Sequence, residues 1–162
     1  MTEEPIYEDL EKRIQRLENV ERKFKRAEKA LRETEDRYRA VVEDMPGLIC
    51  SYLPDGEITF VNKAYCNYFG KTVEALVGTN FLSLIPESER STVMDNISAL
   101  KYDSPTQAHE HRVIAPNDEI RWQSWTNRAL FDDQGRTVGY QSIGMDITER
   151  KQVEEALRQE RN

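Results

Sequence analysis

RWQSWTNRALFDDQGRTVGYQSIGMDITERK, residues 121–151, is the stretch on which the fold turns. Two extended runs flank Asp132-Asp133-Gln134-Gly135, whose residues suit a tight turn, so the runs read as neighbouring antiparallel strands. Trp122 and Trp125 stand three apart in the first run. Strand side chains alternate, so this odd spacing sends the two rings to opposite faces. One should enter a core or pocket. The other should lie on the back of the sheet, under the N-terminal helix or a second subunit. Asp146-Ile147-Thr148 then marks the change from strand to helix. A short polar side chain there can accept from unpaired N–H groups of a first helical turn, and Asp146 puts negative charge near that turn's positive end. Asp146 and Glu149 also have capping-box spacing, with Thr148 as the rival cap. A C-terminal exit helix is expected over 149–162.

Upstream, QAHEHRVIA (107–115) is a third late extended run, closed by a turn at PND (116–118). Before it, SERSTVMDNISALKY places Val93, Ile97 and Leu100 at helical spacing. TVEALVG and FLSLI read as short helical turns ending at Gly78 and Pro86. Earlier still, LICSY and EITFV flank LPDGE, a strand–turn–strand signal built on Asp55-Gly56. Asn62 offers an N-cap for KAYCNYFG. Two strands, several short helices and three strands imply an α+β domain, with an antiparallel sheet and its helices on one side.

Glycine and proline mark the domain boundaries. Neither occurs from Ile6 to Met45, all seven glycines lie between Gly47 and Gly144, and neither residue type follows Gly144. The chain divides into an N-terminal helix (1–44), a globular domain (45–148) and the exit helix. Leu10, Leu17, Phe24, Leu31 and Tyr38 recur at strict seven-residue spacing. That column is a narrow seam suited to a coiled coil, and a helix of about 39 residues reaches about 58 Å. So long an exposed helix needs a partner, which predicts a homodimer through this helix and the back of the sheet. VEEALRQ (153–159) nearly repeats AEKALRE (27–33), as tandem units sharing connecting helices would.

A net charge of −7 disfavours nucleic acid and anionic membrane surfaces as partners. No apolar run is long enough to span a membrane, and the start, MTEEPIYEDLEKR, does not read as a signal peptide. Cys50 and Cys66 lack metal-ligand spacing and read as reduced thiols, which fits the cytoplasm. His109 and His111 share a strand face, but no further Cys or His completes a metal shell, so they read as solvated or hydrogen-bonded strand residues. Glu110 and Arg112 face the other way and could pair with Arg121 or Arg128. Asp132 and Asp133 belong to a turn. The serines have no nucleophile elbow, and no phosphate-binding glycine loop is present. The chain reads as neither an enzyme nor a metal-binding protein. Cys50, Tyr52, Phe60, Tyr65, Phe69, Phe81, Trp122 and Tyr140 are the candidate lining of a small-molecule pocket, if they do not simply fill the core.

Taken in order, RYRAVVEDMPGLI (37–49), DGEITFVNKAYCNYFG (55–70), VEALVGTNFLSLIPESER (73–90) and residues 121–151 resemble a PAS domain of the sensory-box type found in bacterial and archaeal signalling proteins. The resemblance covers roughly residues 35–158. It implies a five-stranded antiparallel sheet of order 2-1-5-4-3 with short helices enclosing a pocket. It also implies a sensory or dimerising role, with Asp146, Ile147 and Thr148 as the junction that passes a signal into the exit helix. A separate output domain, most often a histidine kinase or a cyclic-dinucleotide enzyme, is expected beyond this chain. The cofactor stays open. The photosensory flavin branch needs a Gly-x-Asn-Cys pattern, whereas Gly78-Thr79-Asn80 is followed by Phe81. Haem-binding relatives place their ligating histidine in the helical region, and SERSTVMDNISALKY has none.

Overall fold

The computed structural model describes residues 4–162. Helix α1 (Glu4–Asp44) is followed by strands β1 (Leu48–Tyr52) and β2 (Ile58–Val61), then α2 (Lys63–Phe69) and α3 (Val73–Leu76). A 3₁₀ turn (Phe81–Leu84) leads into α4 (Glu87–Ser98). Strands β3 (Thr106–Ile114), β4 (Ile120–Phe131) and β5 (Thr137–Asp146) follow, and α5 (Thr148–Glu160) closes the chain. The first three residues of the helix expected over 1–44 lie outside the described range.

The chain divides into two units, Met1–Val41 and Val42–Asn162. In the first, α1 carries intrahelical ion pairs at i, i+4, the shortest being Glu21–Lys25 at 2.9 Å. Its heptad column, Leu10, Leu17, Phe24, Leu31 and Tyr38, is exposed, with Phe24 at 67%. Such exposed pairs contribute little to an isolated helix, and burial of the apolar column would have to supply the rest.

In the second unit all five strands pair antiparallel in the expected order, β2-β1-β5-β4-β3. Alternation along β4 sets the layers. Gln123, Trp125, Asn127 and Ala129 are buried under the short helices, while Trp122, Ser124, Thr126 and Arg128 point to the outer face. The predicted split of the tryptophans is therefore present, with Trp125 inside. Trp125 lies flat on its cross-strand partner Gly144. A Cβ at Gly144 would stand 2.6 Å from the indole, so only glycine leaves room for the ring.

Asn62 joins several elements at the domain's entry. Its Oδ1 accepts from Tyr65 N at 3.1 Å, capping α2 as expected, and from Ile49 N at 3.0 Å on β1. Its Nδ2 donates to the carbonyls of Val42 at 3.0 Å and Gly47 at 2.9 Å. An amide that uses both ends in this way is well satisfied despite complete burial.

Candidate functional site: an internal cavity and the exit junction

A cavity of about 260 Å³ lies between the inner face of the sheet and the short helices. Of the eight pocket residues expected from the sequence, Cys50, Tyr52, Tyr65, Phe69 and Phe81 line it. Three do not. Trp122 is on the outer face, and the lining tryptophan is Trp125. Phe60 pairs with Ser51 and is half-buried, because an irregularity between Ser51 and Tyr52 turns Ile58 and Val61 inward instead. Tyr140 is buried behind Tyr52, their rings stacked with centroids 5.2 Å apart.

The polar part of the wall was missed from sequence. Gln123, Asn127 and Ser142 all line the cavity and are all buried. Ser142 Oγ donates to Asn127 Oδ1 at 2.5 Å, and Tyr52 Oη lies 3.3 Å from the same oxygen. The signal that could have found them is parity. Gln123 and Asn127 stand two residues either side of Trp125, so whichever face takes that indole also takes them.

His109 and His111 also line the cavity, so of their reading as solvated or hydrogen-bonded strand residues the solvated alternative is corrected, while His111 is hydrogen-bonded. The alternation was right, but β3 presents that face to the cavity. His111 stacks on Trp125 with ring planes 4° apart. Its Nδ1 lies 3.0 Å from the Arg112 carbonyl, which can only accept, so this nitrogen carries the proton. Burial pushes both imidazoles below the ordinary histidine range, which keeps them neutral. Burial also pushes the Cys50 thiol up to about 12, so it is not a ready nucleophile.

Glu110 and Arg112 do not pair with Arg121 or Arg128. Arg112 Nε reaches Glu89 of α4 at 2.9 Å. Glu110 takes Lys151 at 2.6 Å and also Arg150, both on α5. Lys151 lies 4.8 Å over the Trp122 ring. Within the globular unit, this lysine of the exit helix covers part of Trp122. On the same outer face Ile143 is 50% and Met145 65% exposed.

The exit junction rests on one carboxylate. Asp146 Oδ2 accepts from Arg121 Nε at 2.7 Å on β4 and from Tyr68 Oη at 2.5 Å on α2. Its Oδ1 accepts from Thr148 N at 2.8 Å, at the start of α5. Partial burial opposes its charge, but the donors from Arg121, Tyr68 and Thr148 outweigh that and hold it well below the usual carboxylate range. Tyr68 moves the opposite way, up to about 12, through burial and then the neighbouring carboxylate. The capping-box reading is corrected. Ile147 occupies the cap position without a side-chain bond. Thr148 uses its Oγ1 to accept from Trp122 N at 3.0 Å, while Ile147 N donates to Trp122 O at 2.9 Å. Asp146 and Thr148 thus fasten the helix to the sheet.

A family model described as PAS fold matches residues 42–152. The chain belongs to the PAS family. The two-component sensor PprA of Pseudomonas aeruginosa is 29% identical over 133 residues, which cover 82% of this chain. The match spans only 14% of that sensor's length. Among solved structures, the PAS domain of an HTR-like protein from Haloarcula marismortui superposes with a TM-score of 0.64 at 23% identity, covering 76% of this chain and 99% of that one. A sensory box histidine kinase/response regulator from Burkholderia thailandensis gives 0.61 at 22% identity, covering 77% and 95%. At these identities the structural matches speak for the fold alone. Among the described residues, no cluster of three His, Cys, Asp or Glu could hold a metal ion. No helix among them is long and apolar enough to cross a membrane.

Proposed function

We propose that this PAS domain is a sensory and dimerisation module of a cytoplasmic, multidomain signalling protein of the sensor histidine kinase type. It has no catalytic step of its own. The observation that carries this reading is the Asp146 carboxylate, which receives donors from α2, β4 and α5 together. A change in cavity packing that shifts β4 is then felt at the first turn of α5. Two coiled-coil registers close in energy would turn that shift into a two-state output. The similarity to a two-component sensor and the exposed heptad column of α1 support the reading.

Native mass spectrometry of the purified protein tests it. A dimer is expected, and Phe24→Asp, which puts a charge in the middle of the column, should convert it to monomer. A wild-type protein that is monomeric at every concentration would remove the transmission mechanism. A second reading, a receptor whose ligand is itself the signal, is favoured by the polar wall of the cavity. Retained small-molecule mass in the same spectrum would select it.

A further inference from the structure

One side chain in the cavity wall lacks half of its hydrogen bonding. Gln123 is 0% exposed. Its Oε1 accepts from Trp125 Nε1 at 2.8 Å. An indole N–H can only donate, so the oxygen must face it and the NH₂ must face away. That NH₂ has no partner. The Tyr68 hydroxyl is the polar group near enough to feel the amide, but the two make no well-formed hydrogen bond, and the hydroxyl donates to Asp146. Leaving a fully buried donor unpaired is costly, and a leucine or methionine would fill the same space without that penalty.

A second unpartnered atom shares the cavity, the Nε2 of His109. The register pairs His109 with Trp125 and His111 with Gln123, which makes His109 and Gln123 diagonal neighbours on the inner face. Such neighbours stand about 7–8 Å apart, so one small molecule can reach both.

Size and charge restrict what fits. An apolar cavity of about 150 Å³ holds benzene, so about 260 Å³ suits roughly ten non-hydrogen atoms. The opposite wall is mostly apolar, through Phe81, Leu84, Ile85, Val93 and Ile97, with Thr92 and Asn96 of α4 as its neutral polar members. Glu89 is neutralised by Arg112, and Glu110 by Arg150 and Lys151. An ion entering this cavity would lose its hydration without meeting a free counter-charge.

Building on the sensor reading, we propose that the cavity binds a compact, uncharged, mostly apolar molecule whose carbonyl-type oxygen accepts from Gln123 Nε2. His109 Nε2 is the second polar contact available to it. Gln123 lines the cavity and its amide is felt at Tyr68, so filling its empty donor position acts next to a group that holds Asp146.

Calorimetric titration of the full chain with 1-indanone, indane and benzoate tests this. These probes share size and shape but differ in carbonyl and charge. Indanone should bind about tenfold more tightly than indane, the ratio one neutral hydrogen bond commands. Gln123→Leu should keep indane binding and bring the ratio near one. Because that variant also removes the acceptor for Trp125, the wild-type protein supplies an independent check: indanone should shift the Gln123 side-chain amide resonances. Equal affinity for indanone and indane would overturn the assignment, as would tighter binding of benzoate or no binding of any probe. The sensor reading fails on different grounds, since a monomeric protein would remove it and leave these titrations unaffected.

Discussion

Two short polar side chains tie this domain together at its two ends, and they do so in opposite ways. At the entry, Asn62 is fully buried and neutral, and it bonds to backbone only, at Val42, Gly47, Ile49 and Tyr65. At the exit, Asp146 is charged and only partly buried, and it bonds to two side chains and one backbone N–H. A buried neutral joint is strong and indifferent to salt or pH, because removing either partner strands the other away from water. A charged joint near solvent is weaker and adjustable. The entry therefore suits a fixed anchor and the exit suits a movable one.

The largest effect should come from the entry. Asn62→Ala strands two amide N–H groups and two carbonyls, and should cost about 3–5 kcal/mol, read as a loss of denaturation midpoint. A loss below about 1 kcal/mol would mean that water replaces Asn62 and that the two joints do not differ in kind. Next comes the sheet between them. Gly144→Ala forces the Trp125 indole off its seat and should cost about 1–3 kcal/mol, with a changed tryptophan emission.

The exit should respond less, and in a pH-dependent manner. Asp146→Asn should cost about 1–2 kcal/mol at pH 7 and raise amide hydrogen exchange in α5 while the sheet stays protected. The folded-state value of Asp146 is depressed, so its contribution is present above the unfolded value of about 3.9 and is lost as pH falls through the lower folded value. The stability gap between wild type and Asp146→Asn should thus be constant near neutrality and narrow below about pH 4. A gap that persisted unchanged in strong acid would show that geometry, not charge, makes the joint. The smallest effect belongs to the Glu110 pairs on the outer face. Glu110→Gln should cost less than about 1 kcal/mol, and the difference should vanish at 1 M salt.

Much of this was legible in the chain. The Asp55-Gly56 and Asp132 to Gly135 turns, the N-cap at Asn62 and the alternation along β4 are local signals, and each sits where it was read. Parity stated that Trp122 and Trp125 part company, but not which of them goes inside. Choosing Trp122 for the pocket was the error that hid Gln123 and Asn127, because all three inner residues follow from one choice of face. Phe60 was misplaced for a related reason: the irregularity opposite Ser51 breaks simple alternation on β2.

Sequence alone determined the elements, their order and the residues that punctuate them, since helix and strand periods, caps and turns depend on residues a few positions apart. Tertiary structure alone decided which face of the sheet is inside. It also decided that α5 returns to put Lys151 over Trp122, that Glu110 finds Arg150 and Lys151, and that Asp146 finds Arg121 and Tyr68. Those outcomes depend on burial and charge pairing between residues 25 to 78 positions apart, where no local period carries information.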